Sequence, residues 1–102
     1  MIIWQDEETG AIYQSETELL GLTPLGRKIL CFFLQHPEKY LTKDEIIASA
    51  WGQTNGVSDD ALYQQITGLR KALTDGHSHI KTWRGLPGGY RFHALAKNSS
   101  SL

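Results

Sequence analysis

Between Val57 and Leu73, VSDDALYQQITGLRKAL, the large apolar residues Leu62, Ile66, Leu69 and Leu73 fall at intervals of four, three and four. That spacing predicts a helix with one buried stripe, because residues three and four apart share a side of a 3.6-residue turn. Ser58 is its candidate N-cap, Asp59 and Asp60 suit the positive end of the helix dipole, and Asp75-Gly76 supplies a stop. Opposite the stripe stand Asp60, Tyr63, Gln64, Thr67 and Lys71, with Gly68 beside them. A face of that make-up meets water or a partner, not a core.

The same periodicity places two helices upstream. Thr23-Pro24 is a start signal, Thr as N-cap and Pro at the first helical position, where its missing N–H costs nothing. Leu25, Ile29, Phe32 and Phe33 then repeat at helical spacing until His36-Pro37 ends the run. After Tyr40-Leu41, Thr42-Lys43-Asp44-Glu45 fits a capping box, and Ile46, Ile47, Ala50 and Trp51 form the apolar face of a shorter helix. Gly52 to Gly56, GQTNG, is a loop by composition.

Strands are expected at both ends. Ile2-Ile3-Trp4 and Ala11-Ile12-Tyr13 flank a turn-like Glu7-Glu8-Thr9-Gly10, and Glu18 to Leu22 is a candidate third strand. His79 to Trp83 and Tyr90 to Phe92 flank Leu86-Pro87-Gly88-Gly89, which predicts a hairpin. The fold class is therefore α+β: an N-terminal antiparallel sheet, three helices and a C-terminal hairpin, spanning 1–93. Residues 94–102, with three serines in a row, read as a flexible tail or linker.

Charge sharpens this picture. The 102 residues carry a net charge of −1, yet residues 1–22 hold five acids and no Lys or Arg, whereas 76–102 hold four basic groups and no acids. A locally positive edge can engage phosphate even when the total is near neutral. The longest apolar run, Ile29 to Leu34, is far shorter than the roughly 20 residues that span a bilayer, so no membrane segment is expected. No secretory leader is visible in MIIWQDEETG, and the single Cys31 has no partner for an internal disulfide; a cytoplasmic location fits both.

The ordered pieces LTPLGRKIL, LTKDEIIASAWG, VSDDALYQQITGLRKAL and IKTWRGLPGGYRF resemble the OmpR-type winged-helix family, the output domains of response regulators and of ToxR- and CadC-like regulators. The Leu-Arg-Lys-x-Leu of the third helix and the Thr-x-Arg-Gly…Gly-Tyr-Arg-Phe of the hairpin are the most characteristic. The resemblance implies sequence-specific binding of double-stranded DNA in transcription, the third helix in the major groove and the hairpin wing in the adjacent minor groove. Carried across by position, it implies major-groove duties for Asp60, Tyr63, Gln64, Thr67 and Gly68, and a minor-groove role for Arg84. Thr42 and Lys43 would lie near backbone phosphate. It further implies pairing of two copies on tandem sites and contact with RNA polymerase through the loop Gln53-Thr54-Asn55-Gly56.

From the residues themselves, Lys81 and Arg91 add charge beside Arg84, and Lys71 and Arg70 are within reach of phosphate, although Arg70 lies nearer the buried stripe. For Arg84 the alternative is a salt bridge to an acid of the N-terminal sheet. The chain departs from the family pattern where many members carry Arg or Lys and it has Asp60, Thr67 and Gly68. Gln64 could still pair with adenine and Thr67 touch a thymine methyl, with Tyr63 on phosphate. Leu86-Pro87-Gly88 lengthens the wing tip, and Gly26 stands where an acid often completes a capping box. A second reading follows, a winged helix used for protein–protein contact.

Enzymatic chemistry finds no support. Gly85 to Gly89 lacks the Gly-Lys-Ser/Thr of a phosphate-binding loop, and Cys31 sits among Leu30, Phe32 and Phe33 like a small hydrophobe. His77-x-His79 lacks further ligands at metal spacing. No catalytic residue, metal or cofactor is expected.

Overall fold

The computed structural model describes residues 1–95. Strands β1 (Ile3–Gln5), β2 (Ile12–Gln14) and β3 (Thr17–Glu18) form an antiparallel sheet in that order. Ile3, opposite Gln14, and Ile12, opposite Gln5, both point inward and are buried, while their neighbours Trp4 and Tyr13 pair across strands on the outer face and stack at 4.5 Å. The third strand is two residues long and stops before Leu19, shorter than the Glu18–Leu22 span expected. Ser15, in the left-handed region at φ 55°, makes the turn that brings it back.

Helix α1 (Pro24–Gln35) begins as expected: Thr23 Oγ1 accepts from the Gly26 N–H at 3.0 Å, with Pro24 in the first turn. Gly26 has a packing reason. A Cβ there would lie 3.0 Å from Thr23 Oγ1 and 3.5 Å from both Gln65 Oε1 and Leu69, so a larger residue would crowd the crossing of α1 with the third long helix. Helix α2 (Lys43–Trp51) carries the full capping box, Glu45 N–H to Thr42 Oγ1 at 3.1 Å and Thr42 N–H to Glu45 Oε1 at 2.8 Å. The Thr42 N–H holds the Glu45 carboxyl below the usual carboxylate range.

Helix α3 (Asp59–Ala72) is capped by Ser58, whose Oγ accepts from the Ala61 N–H at 3.1 Å. Leu62, Ile66, Leu69 and Leu73 are all buried, as their spacing requires. The helix ends at Ala72, and Asp75, left-handed at φ 60°, starts an additional turn, α4 (Gly76–His79). Only glycine fits at Gly76, since a Cβ would fall 2.2 Å from the Arg70 carbonyl oxygen.

Strands β5 (Ile80–Trp83) and β6 (Gly89–Phe92) make the hairpin, and β4 (Tyr40–Thr42), which precedes α2, completes the sheet in the order β4-β6-β5. The core lies between the two sheets and the helices: Ile29, Leu30 and Phe33 from α1, Ile46 and Ile47 from α2, the α3 stripe, and Ile80 and Phe92. Phe33 and Phe92 stack at 5.4 Å and join α1 to the central strand. Ala94 and Leu95, grouped above with the tail, lie against the other end of the chain, Ile3 N–H donating to Ala94 O at 2.8 Å and Ile2 bridging Leu95. The rest of that segment, 96–102, lies outside the described residues.

One buried polar cluster ties the N-terminal sheet to the end of α3. Gln14 Nε2 donates to Thr74 O at 2.6 Å and Gln14 Oε1 accepts from Thr74 N–H at 2.8 Å, which fixes the carboxamide. Its second N–H faces His79 Nε2 at 3.2 Å, while His79 Nδ1 is 2.6 Å from the His93 carbonyl. A carbonyl can only accept, so Nδ1 carries the hydrogen and Nε2 accepts from Gln14. Every partner is satisfied by neutral His79, and burial pushes its pKa down from the ordinary value of 6.5.

Candidate nucleic-acid interface

The buried stripe of α3 leaves its other face outward, and the helical repeat brings Asp60, Tyr63, Gln64, Thr67, Gly68 and Lys71 together there. Tyr63 is 57% exposed, Thr67 is half-buried, and the other four are exposed. A Cβ on Gly68 would meet nothing within 4 Å, so no packing inside the chain demands glycine. The gap leaves the α3 backbone open to close approach beside Gln64, in a groove of ≈ 300 Å³ shared with Thr23, Gly26 and Gln65.

Arg70 stands at the border of this face and joins α3 to the hairpin. Its Nη2 donates to Ile80 O at 2.8 Å and Thr82 Oγ1 at 3.0 Å, its Nε donates to Ile80 O at 3.2 Å, and its guanidinium lies 5.8 Å from the centre of the Tyr90 ring. Those donors are spent within the fold, so of the two roles open to Arg70 the structural one is observed. Trp83 anchors the far side, its Nε1 donating to Leu41 O at 3.1 Å. Gly89 seats the central strand against β4, where a Cβ would lie 1.9 Å from Leu41 O.

Beyond these anchors the chain runs through Arg84 to Gly88, and Arg84 is exposed with no ion pair among the described residues, including to the acids of the N-terminal sheet. Leu86 at the tip is 100% exposed. Lys81 is placed differently. Because side chains alternate along a strand and Thr82 meets Arg70 of α3, Lys81 projects from the opposite face of β5, with Arg91 as its cross-strand neighbour. There it borders a hollow of ≈ 520 Å³ with Glu38, Arg91 and His93, where Glu38 accepts from His93 Nδ1 at 2.6 Å and lies 3.5 Å from Arg91.

Thr42 and Lys43 sit where α2 begins. The Thr42 hydroxyl is occupied by its capping role, and Lys43 Nζ is paired with Asp59 Oδ2 at 2.9 Å. The sequence marks Asp59, the first residue of α3, only as a dipole partner; its contact 16 residues back has no sequence signal. That hydrogen bond raises the Lys43 pKa above its ordinary value. Among the described residues no three His, Cys, Asp or Glu side chains are grouped to hold a metal ion. No helix among them is long and apolar enough to cross a membrane.

A helix exposed along one face and clamped to a neighbouring β-hairpin, after two supporting helices and an N-terminal sheet, defines a winged helix-turn-helix domain. The chain belongs to the family described as transcriptional regulatory protein, C terminal, whose model matches residues 16–92. It is 38% identical over 77 residues to the phosphate regulon transcriptional regulatory protein PhoB of Klebsiella pneumoniae, a match covering 74% of this chain and 33% of that one. The chain thus spans about a third of the length of such relatives. Among solved structures it resembles the Klebsiella pneumoniae RstA DNA-binding domain in complex with the RstA box, with TM-score 0.76, 21% identity and coverage of 93% and 94%. It also resembles the C-terminal domain of the nisin resistance regulator NsrR, with TM-score 0.66, 27% identity and coverage of 89% and 91%. The RstA likeness bears on the fold.

Proposed function

We propose that this chain is the output domain of a transcriptional regulator and binds a specific double-stranded DNA sequence, α3 entering the major groove and the wing the adjacent minor groove. The observation that carries the reading is the clamped pair of projections: a polar helix face and, fixed to it through Arg70, a hairpin whose tip presents an exposed Arg84 with no ion pair among the described residues. A guanidinium in a narrow minor groove gains from the focused negative potential, and a helix in the major groove reads base edges. In this reading Gln64 and Thr67 contact bases, Tyr63 and Lys71 hold phosphate, and Gly68 lets the helix approach closely. Asp60 faces the duplex without attracting it. Thr42 and Lys43 border the phosphate backbone. Lys81, on the other sheet face, contributes through the field rather than by contact.

The domain works by occupancy, with no catalytic step, in the cytoplasm, with two copies on tandem sites and the exposed loop Gln53 to Gly56 offered to RNA polymerase. Related proteins named as transcriptional regulators support the role. A second reading, docking onto protein, draws on Asp59 and Asp60 at the start of α3 and on the stacked pair of exposed Trp4 and half-buried Tyr13 beside Glu18.

Selection from a random duplex pool at low salt, followed by a salt titration, tests the first reading. Enrichment of one sequence class, affinity falling steeply with salt, and a loss of about tenfold in Arg84→Ala are expected. No enrichment of any duplex would leave the protein-docking reading in its place.

A further inference from the structure

Lys43 occupies the meeting point of three elements. It is the first residue of α2, its Nζ is 2.9 Å from Asp59 in the first turn of α3, and its backbone N–H donates to Gly88 O, at the root of the wing, at 3.3 Å. If α3 lies in a major groove and the wing in the next minor groove, the sugar-phosphate strand dividing those grooves must pass over the seam between helix and wing. Two cations stand at that seam: Arg70, whose Nε and Nη2 are engaged by Ile80 and Thr82, and Lys43, whose ammonium is the more open to solvent. Yet the Lys43 charge is already matched: Asp59 presents a carboxylate oxygen at the distance a phosphate oxygen would take.

We propose that Asp59 is an affinity-setting residue, an internal stand-in for phosphate that occupies Lys43 in the free protein and that DNA must displace. This rests on the DNA-binding reading above. The pair is open to solvent on both sides, the Lys43 side chain 37% and that of Asp59 69% exposed, so exchange of one anion for another needs no unfolding. Asp59 also lies in the first turn of α3, where the helix dipole favours a negative charge, so the carboxylate has a place to remain when Lys43 leaves it. Its neighbour Asp60 carries the same charge on the same turn but has no ion pair among the described residues. Asp60 therefore measures general repulsion of DNA, and Asp59 measures repulsion plus competition for Lys43.

The experiment compares Asp59→Asn and Asp60→Asn in two backgrounds, the parent chain and Lys43→Met, by salt titration on the selected duplex. With Lys43 present, Asp59→Asn is expected to raise affinity about fivefold more than Asp60→Asn and to steepen the slope of log affinity against log salt by about one, the mark of an additional phosphate contact. In the Lys43→Met background the two substitutions should have equal effects. Lys43→Gln replaces Lys43→Met should the latter not fold, as judged by its thermal melt. Equal effects of Asp59→Asn and Asp60→Asn in both backgrounds, with the parent still binding, would overturn the proposal alone. Failure of every variant and of the parent to bind any duplex would overturn the DNA reading and this proposal with it.

Discussion

Helix α3 and the wing project from the same domain but are held by different means. The helix is set by its own buried stripe, Leu62, Ile66, Leu69 and Leu73, which would pack much the same way whatever stood on the outer face. The hairpin has a smaller apolar anchor in Ile80, Tyr90 and Phe92 and depends as well on contacts with other elements: the Arg70 guanidinium of α3 on Ile80 and Thr82, its own Trp83 indole on Leu41, and the close approach of its Gly89 to β4. One element is positioned by burial, the other by a few directed contacts. Damage to the first should unfold the domain, and damage to the second should misplace the wing on a folded core.

The largest effect is expected from Ile66→Ala, which removes a fully buried side chain from the stripe and should cost about 3–4 kcal/mol in chemical denaturation. Gly89→Ala comes next, at about 2–3 kcal/mol, because its Cβ has no room beside the Leu41 carbonyl. Hydrogen exchange in that variant should rise in β5 and β6 while the α1 and α3 amides stay protected; uniform exposure would break the distinction between the two elements. Arg70→Met should cost about 1–2 kcal/mol through the lost bonds to Ile80 and Thr82. In that background, the effects on DNA affinity of Gln64→Ala and Arg84→Ala should become additive if the clamp is what couples helix to wing.

Acid offers a gentler probe of the cluster at the end of α3. Burial lowers the folded pKa of His79 below 6.5, so the unfolded chain binds the proton more readily. Its contribution to stability is therefore complete above pH 6.5 and is lost as pH falls through the lowered folded value, at no more than about 1.4 kcal/mol per pH unit for one proton. Protonation would also set an Nε2–H against the Gln14 amide, a clash of two donors. Denaturation between pH 7 and 5 should show this slope, and His79→Gln should flatten it; an unchanged slope would place the titration elsewhere. The smallest effect belongs to Arg84→Ala, expected within about 0.5 kcal/mol of the parent in stability because its guanidinium is unpaired among the described residues.

What could be read from the chain follows the same division. The α3 stripe and the Thr42–Glu45 box were legible because each signal is complete within a few residues of its own helix. Strand β4 was not, since Tyr40-Leu41-Thr42 is too short to show alternation and pairs with Arg91, Tyr90 and Gly89 far along the chain. Nor was α4, whose GHSH has no apolar period and begins with a residue that usually ends helices. The exposed face of α3 could be named as the complement of the stripe. The pairing of Lys43 with Asp59, the burial of His79 and the facing of Lys81 depend on tertiary placement or strand register, which local spacing does not encode.

The Arg70 clamp has a mechanical consequence. By joining α3 to β5 through three hydrogen bonds it turns two projections into the jaws of a gauge with a set opening. Under the proposed DNA-binding function, that opening would measure the pitch of the double helix: overwound or underwound DNA would seat one jaw and miss the other, whatever its sequence.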